Sequence, residues 1–314
     1  LWIKKNIYKF LGINSMTCFI DTLSSVIVPF QMANIIKQLY DDYKYVMEKN
    51  SDERVKDWFL MEGPMPTIVI CLLYVYFVKV LGPKLMENNK PFSLRRIMMW
   101  YNILQVFKND TFQAAYLWLM VYSWRCQPVD YSYGPLAMLA ARTSWLYYMS
   151  KILDLTDTIF FVLRKKYEHI STLHVIHHGY SVFLVFISLF FFCGTIGGHG
   201  TFLGFLNTFV HMIMYTYYLL AAAGPKMRPY LWWKKYLTTL QMVQFIIVGI
   251  HSGQLFFIDC NFPKLFTCLI MGHSLMFFAL FNDFYQKTYK NRRGKVLLKF
   301  SKVVDILRVN LFIV

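Results

Sequence analysis

Three histidines, His174, His177 and His178, lie within the sequence LHVIHHGY at residues 173–180. An apolar run follows them as far as Phe192, and about nineteen residues are enough for a helix to cross a bilayer. On such a helix the i, i+3 and i+4 spacing predicts that the three imidazoles stack on one face. Titratable side chains are costly at the end of a membrane span unless they are paired, so they indicate chemistry rather than packing.

Polar side chains recur in three further apolar segments. The three sets are Lys151, Asp154, Asp157 and Thr158; Asn207, His211, Met214, Tyr215, Tyr217 and Tyr218; and Thr238, Gln241 and Gln244. One stripe of this kind commonly joins membrane helices through hydrogen bonds. Four consecutive spans that each present a stripe predict an active site in an apolar pocket. The isolated histidines are interpreted as packing residues; these are His169, His199, His251 and His273.

The HxxHH pattern occurs in two unrelated chemistries. Membrane di-iron desaturases and hydroxylases use about eight histidines in three boxes to ligate two irons. This chain has 8 histidines in total and no second HxxHH, so iron chemistry is short of ligands, although His211 could join the box around a single metal. The other chemistry is metal-free acyl transfer, in which a neutral imidazole attacks a thioester in a dry pocket. A lipid transporter or scaffold without catalysis is a third alternative.

Composition identifies the class of protein that carries these histidines. Of 314 residues, 57% are hydrophobic and 19% aromatic, with a mean hydropathy of +0.39, which predicts a polytopic membrane protein. Seven spans are predicted at residues 65–85, 97–122, 147–163, 174–192, 200–223, 232–258 and 265–285. Lys108, Asn109 and Asp110 interrupt the second span, so that face must turn into the bundle or the helix must break there.

Charge sets the expected topology. The formal net charge is +16, and the basic residues lie mainly in the loops after spans 1, 3 and 5 and in the tail from Lys287 to Lys302. Because cytosolic loops carry the excess of Lys and Arg, we expect these loops and the C-terminus in the cytosol. Basic loops at the membrane favour anionic lipid or an anionic substrate over nucleic acid.

The same topology puts Cys126 and Cys260 in loops on the non-cytosolic side. If that compartment is oxidising, a disulfide between them is expected; two free thiols are the alternative.

The four polar sets also match known signatures in known order. They are Lys151-x-x-Asp154-x-x-Asp157-Thr158, His174-x-x-His177-His178, Asn207-x-x-x-His211-x-x-Met214-Tyr215-x-Tyr217-Tyr218 and Thr238-x-x-Gln241-x-x-Gln244. Over about residues 60–290 the chain resembles the ELO family of very-long-chain fatty acid elongases, the 3-ketoacyl-CoA synthases of the endoplasmic reticulum (ER).

The resemblance implies an all-α membrane protein of seven transmembrane helices, with helices 2–7 forming an inverted ring around an acyl tunnel. It also implies condensation of acyl-CoA with malonyl-CoA, giving a 3-ketoacyl-CoA, CO2 and CoA without a cofactor or metal. Residues 63–288 would form the elongase domain, residues 289–314 a basic cytosolic tail, and residues 1–62 an N-terminal extension. We expect the working protein to begin near Met32.

Roles follow from the resemblance for individual residues. His177 would take the acyl group, His211 would help in the malonyl half-reaction, and His174 and His178 would assist. Substrate and CoA binding is expected of Lys151, Asp154, Asp157, Asn207, Tyr217, Gln241, Gln244 and Lys235. The resemblance also favours the Cys126 to Cys260 disulfide.

Localisation in the ER membrane and contact with its lipid follow from the family alone. The same holds for partnership with the reductases and dehydratase of the elongation cycle and for assembly as a homodimer. One residue departs from the family pattern, because Asp154 stands where the family usually has Glu. That substitution puts the reach of the carboxylate in question.

Overall fold

The computed structural model describes residues 37–45, 52–190 and 198–290, and all regular elements within these ranges are helical. By contacts the chain divides into two compact units, Leu1–Phe92 with Val129–Gly198, and Ser93–Pro128 with His199–Val314. Much of the predicted N-terminal extension, the end of the fourth span and the basic tail from residue 291 lie outside the described residues.

The helices are α1 (Pro64–Tyr76), α2 (Gly82–Met86), α3 (Arg95–Val106), α4 (Asn109–Tyr116), α5 (Pro135–Leu163), α6 (Thr172–Phe190), α7 (Thr201–Ala222), α8 (Lys234–Gly253) and α9 (Lys264–Tyr285). Short π-helical turns lie at Phe77–Leu81, Leu117–Val121 and Gln286–Lys290, and 3₁₀ turns at Tyr167–His169, Pro225–Leu231 and Gln254–Phe256.

The first unit packs α1 and α5 against α6, with α2 beside α5. Its core includes Tyr148, Val162 and Phe186, all fully buried. Gly82 opens α2, and a Cβ atom there would lie 2.6 Å from Cγ1 of Val162. The close approach of α2 and α5 therefore requires glycine at this position.

Several residues within 52–62, a segment predicted as part of an N-terminal extension, pack into the core of the first unit. Val55 and Met61 are buried in the cluster formed with α1, α5 and α6. Arg54 is buried because it pairs with Asp52, with 2.6 Å between Nη2 and Oδ2, and donates from Nη1 to the Asp130 carbonyl at 2.7 Å. A paired and hydrogen-bonded charge can be buried at a tolerable cost.

In the second unit α3 and α4 pack on α7, α7 packs on α8, and α8 packs on α9. Arg95, the first residue of α3, donates from Nε to the Ala222 carbonyl at the end of α7 at 2.9 Å. After α4, Trp118 donates from Nε1 to Oγ1 of Thr201, the first residue of α7, at 3.1 Å. These two contacts fix the segment from α3 to residue 121 as antiparallel to α7.

Within the described residues each predicted span coincides with a helix or a helix pair, although the start of the third span was wrong. The second span is broken between α3 and α4, where Lys108 adopts an extended conformation with ψ 133. The third helix begins at Pro135 rather than at residue 147, because its first turns bury small residues such as Ala137 and Ala141 that hydropathy underrates. Two described segments, Pro64–Met86 and Lys264–Lys290, are long and apolar enough by themselves to cross a membrane.

Candidate active site

Helix α5 supplies a buried ion pair. The Nζ atom of Lys151 lies 2.9 Å from Oδ2 of Asp154, one turn along the helix, and both side chains are almost wholly buried. Lys151 also lies 5.1 Å from the centre of the Tyr147 ring. The positive charge of Lys151 is thus paired with Asp154 inside the protein. Asp157, another predicted site residue of α5, is half-buried.

The same helix contacts the histidine box through Thr158. The Thr158 hydroxyl lies 2.9 Å from Nε2 of His174 and 2.8 Å from the Tyr74 hydroxyl. Thr158 has one proton to donate, so the two bonds are coupled. With Tyr74 as donor, Thr158 donates onward to Nε2 and His174 carries its proton on Nδ1. With His174 as donor both bonds run the other way, so the network fixes the ring orientation of His174 and ties its tautomer to the direction of the two bonds.

The three box histidines do not form the uniform stack that the spacing predicts. The rings of His174 and His178 lie 4.3 Å apart, one turn from each other on α6. His177 lies 5.4 Å from His178 and nearly edge-on to it. Neighbouring residues of a helix point about 100° apart, which explains why His177 leaves the stack. His178 is buried, whereas His177 is half-buried.

Helix α7 presents its polar stripe inside the second unit. Asn207, His211, Met214 and Tyr215 are buried. The rings of His211 and Tyr215 meet edge-on at 5.9 Å. Tyr218, which the spacing assigned to the same stripe, is 37% exposed.

One glutamine of α8 contacts this stripe. Gln241 donates from Nε2 to the Met214 sulfur at 3.6 Å, and Gln244 is buried. Thr238 turns back to the Lys234 carbonyl of its own helix at 3.4 Å. The interpretation of the α8 stripe as part of the α7 site thus has direct support at Gln241.

The end of α7 and the start of α8 carry the remaining predicted binding residues. Tyr217 packs edge-on against Trp233 at 5.0 Å, and Lys235 Nζ lies 5.8 Å from the centre of the Tyr285 ring. Gly224, at φ 108, reverses the chain after α7 in a conformation that favours glycine, and Arg95 hydrogen-bonds the adjacent Ala223 carbonyl.

Sequence reasoning did not include the α3–α4 break in the site. There Gln105 donates to the Tyr101 hydroxyl at 2.7 Å, and the Tyr101 hydroxyl lies 3.5 Å from that of Tyr215. Lys108 Nζ lies 5.8 Å from the centre of the Tyr215 ring. Charged residues inside an apolar span were the signal that could have found this group.

A family model described as GNS1/SUR4 matches residues 59–296, which covers all of these groups. The chain belongs to the ELO family.

Relatives in this family support the same conclusion. The chain is 52% identical over 264 residues to very long chain fatty acid elongase 7 of Drosophila melanogaster, covering 83% of this chain and 79% of the relative. It is 47% identical to the rat elongase 7 (Rattus norvegicus), over 77% of this chain and 86% of that protein. It is 41% identical to human elongase 1 (Homo sapiens), over 81% and 91% respectively. The protein is therefore a membrane enzyme of fatty acid elongation.

The ELO signatures divide between the two units. The Lys151 to Thr158 set and the histidine box lie in the first unit, and the Asn207 to Tyr218 and Thr238 to Gln244 sets lie in the second. Asp154, the departure from the family, still reaches Lys151, so its shorter side chain does not prevent the ion pair. Among the residues that the structure describes, no group of three or more His, Cys, Asp or Glu side chains is arranged to hold a metal ion.

The expected Cys126 to Cys260 disulfide is present in the second unit of this ELO protein. Near it, His199 donates from Nε2 to the His251 carbonyl at 2.9 Å, and the two rings stack at 4.0 Å. Burial lowers the pKa of His199, which precedes α7. Both histidines also pack on Trp118, as their interpretation as packing residues predicts.

Proposed function

We propose that this ELO protein is a 3-ketoacyl-CoA synthase that condenses a long-chain acyl-CoA with malonyl-CoA. The observation that carries the proposal is the histidine array of α6, in which Thr158 holds His174, the ring of His174 packs at a tilt against His178, and His178 contacts His177. An oriented group of imidazoles in an apolar helix bundle suits nucleophilic acyl transfer.

In the first half-reaction, a nitrogen of His177 attacks the thioester carbonyl. The C–S bond breaks, CoA leaves as a thiolate that takes up a proton, and the acyl group stays on the imidazole. His178 is the neighbour that can accept the proton displaced from His177, and His174 holds the ring of His178 through a tilted ring contact.

In the second half-reaction, the bound malonyl-CoA loses CO2, and the electron pair of the broken C–C bond remains on its α-carbon. That carbon attacks the acyl-imidazole, the new C–C bond forms, and the C–N bond to His177 breaks. We assign His211 to this step, with Asn207, Tyr217, Gln241 and Gln244 positioning and polarising the thioester carbonyls.

The remaining assignments concern binding and location. Lys235 is proposed to bind the CoA phosphates at the cytosolic mouth. Lys151, in its ion pair with Asp154, is proposed to help bind CoA. Asp157 is proposed to support that ion pair. The same proposal includes a ring of helices 2–7 around an acyl tunnel and a location in the ER membrane with a cytosolic C-terminus. It also includes partnership with the reductases and dehydratase of the elongation cycle and assembly as a homodimer.

A panel of acyl-CoA substrates with labelled malonyl-CoA and purified protein tests this function. We expect products two carbons longer than each accepted substrate, with release of labelled CO2 when the free carboxyl is labelled. A desaturated or hydroxylated product of unchanged length, or lipid binding without any product, would contradict the proposal.

A further inference from the structure

The break between α3 and α4 places a lysine inside the second unit. Lys108 is extended, with φ −60 and ψ 133, and its side chain is buried at 7% exposure. An ionised side chain within a membrane span is rare and marks a functional position by default. Arg54, Lys108 and Lys151 are the lysine and arginine residues buried in the described part of the chain, and of these three only Lys108 belongs to the second unit.

The depth of Lys108 matches that of the α7 stripe. Arg95 meets the end of α7 at Ala222, Tyr101 meets Tyr215 about two turns deeper, and Trp118 meets Thr201 at the far end. Lys108 lies between the second and third of these contacts on an antiparallel segment. It is therefore level with the part of α7 that carries His211 and Asn207, and its Nζ atom reaches the Tyr215 ring at 5.8 Å.

Two further hydrogen-bond donors are buried on the same pair of helices. The Nδ2 atom of Asn102 on α3 and the hydroxyl of Thr111 on α4 find no hydrogen-bond partner in the described part of the chain, and both residues are more than nine-tenths buried. An unmet buried donor is costly, which indicates a ligand that would satisfy it. Thr111 also lies in the first turn of α4, where the helix dipole favours negative charge.

One acidic side chain lies close to these donors in the sequence. Asp110 lies two residues from Lys108, is buried at 2% exposure, and its Oδ2 atom makes no hydrogen bond within the described residues. Its negative charge would repel an anion that enters. The sign of its effect on binding is therefore opposite to that of Lys108.

We propose that Lys108, with Asn102 and Thr111, binds the free carboxylate of malonyl-CoA. The inference rests on the proposed function, because malonyl-CoA differs from other acyl-CoA substrates by this carboxylate. Bringing the carboxylate beside His211 requires a cation at that depth. The buried ammonium group of Lys108 attracts this carboxylate strongly, because the dielectric constant of the surroundings is low. Because the carboxylate leaves as CO2, Lys108 stabilises the bound substrate more than the transition state, and it should govern KM rather than kcat.

The test compares Lys108→Met with Lys108→Arg in the full-length protein. We expect Lys108→Met to raise KM for malonyl-CoA about 10- to 100-fold, the range for a charged hydrogen bond, with KM for acyl-CoA and kcat nearly unchanged. Lys108→Arg should restore most of the affinity, and Asp110→Asn should lower KM for malonyl-CoA. Lys264→Met, which removes an exposed lysine at the start of α9, is the matched control and should match wild type.

A binding measurement separates this inference from the proposed reaction. Wild-type protein should bind malonyl-CoA more tightly than acetyl-CoA, which has no free carboxylate, and Lys108→Met should lose that preference. An unchanged preference in Lys108→Met, or equal increases in KM for both substrates, would overturn the inference. Absence of elongation in the wild type with the preference intact would overturn the proposed function alone.

Discussion

The hydroxyl of Thr158 on α5 lies 2.9 Å from Nε2 of His174 on α6. This bond ties the histidine box to the neighbouring helix of the first unit, and the Tyr74 hydroxyl continues the network at 2.8 Å. His174 is thereby oriented from outside its own helix, and His178 is oriented in turn through ring contact at 4.3 Å.

Removing the Thr158 hydroxyl should disorder this array. For Thr158→Val we expect kcat to fall by about one order of magnitude, since His174 loses the hydrogen-bond partner that orients its ring. Steady-state elongation kinetics provide the measurement. Thr156→Val, a change of the same kind on α5 at a half-buried position, should retain activity, and an equal loss in both variants would refute a specific role for Thr158.

Lys151 and Asp154 should stabilise the protein only when both side chains are present. Asp154→Ala leaves a buried ammonium unpaired and should destabilise the protein by about 3–5 kcal/mol. The double variant Lys151→Met with Asp154→Leu should be more stable than either single variant. Asp154→Glu should preserve the pair, because the 2.9 Å contact can be kept by rotation of the lysine. Thermal unfolding in detergent measures Asp154→Ala, Asp154→Glu, the double variant and its two single variants, and additive losses in the double variant would argue against the pair.

The Cys126 to Cys260 disulfide closes a loop of 134 residues in sequence. Replacing either cysteine with serine should cost about 2–5 kcal/mol of stability, mainly through the greater freedom of the unfolded chain. A non-reducing gel should show the same mobility change for both variants, and neither should change further on reduction. Cys268→Ser, at an exposed free cysteine of α9, should behave as wild type; a wild-type protein without a shift on reduction would contradict the bridge.

The loop before α5 should loosen only in strong acid. Hydrogen bonds from Ser132, together with the nearby Arg54 charge, lower the pKa of Asp130 below its ordinary value of 3.8. A carboxylate with a lowered folded-state pKa contributes stability above its unfolded pKa and loses it as the pH falls through the folded value. Hydrogen exchange of residues 129–134, corrected for intrinsic rates, should therefore be constant from about pH 8 to 5 and rise below about pH 4.

Asp130→Asn should remove that acid dependence, and Asp259→Asn in an exposed loop of the second unit should leave it unchanged. An increase in exchange already between neutral pH and pH 5 would show that another group controls the loop.

Sequence patterns predicted the features whose signal is local. A histidine triplet in an apolar run, charges inside a span and cysteines in two loops each contrast with their surroundings. The break at Lys108 confirms the argument that lipid does not tolerate such charges on a continuous exposed face.

Features that depend on distant partners could not be predicted in this way. Asp52 and Arg54 are charged and resemble a solvated segment, and only the pairing between them and the carbonyl of Asp130 makes their burial possible. The early start of α5 depends likewise on neighbours that accept small residues such as Ala141. The displacement of His177 from the stack follows from helix geometry, but its edge-on contact with His178 depends on packing.

The central claim, that His177 carries the acyl group, is tested most directly by trapping that intermediate. Purified protein is incubated with radiolabelled acyl-CoA without malonyl-CoA, and protein-bound label is measured after denaturation and proteolysis. We expect label on the peptide that contains His177 in wild type, in His211→Ala and in the control His169→Ala, with discharge to an elongated product when wild type receives malonyl-CoA. His177→Ala should carry none, and retention of label or of elongation by His177→Ala would contradict the account.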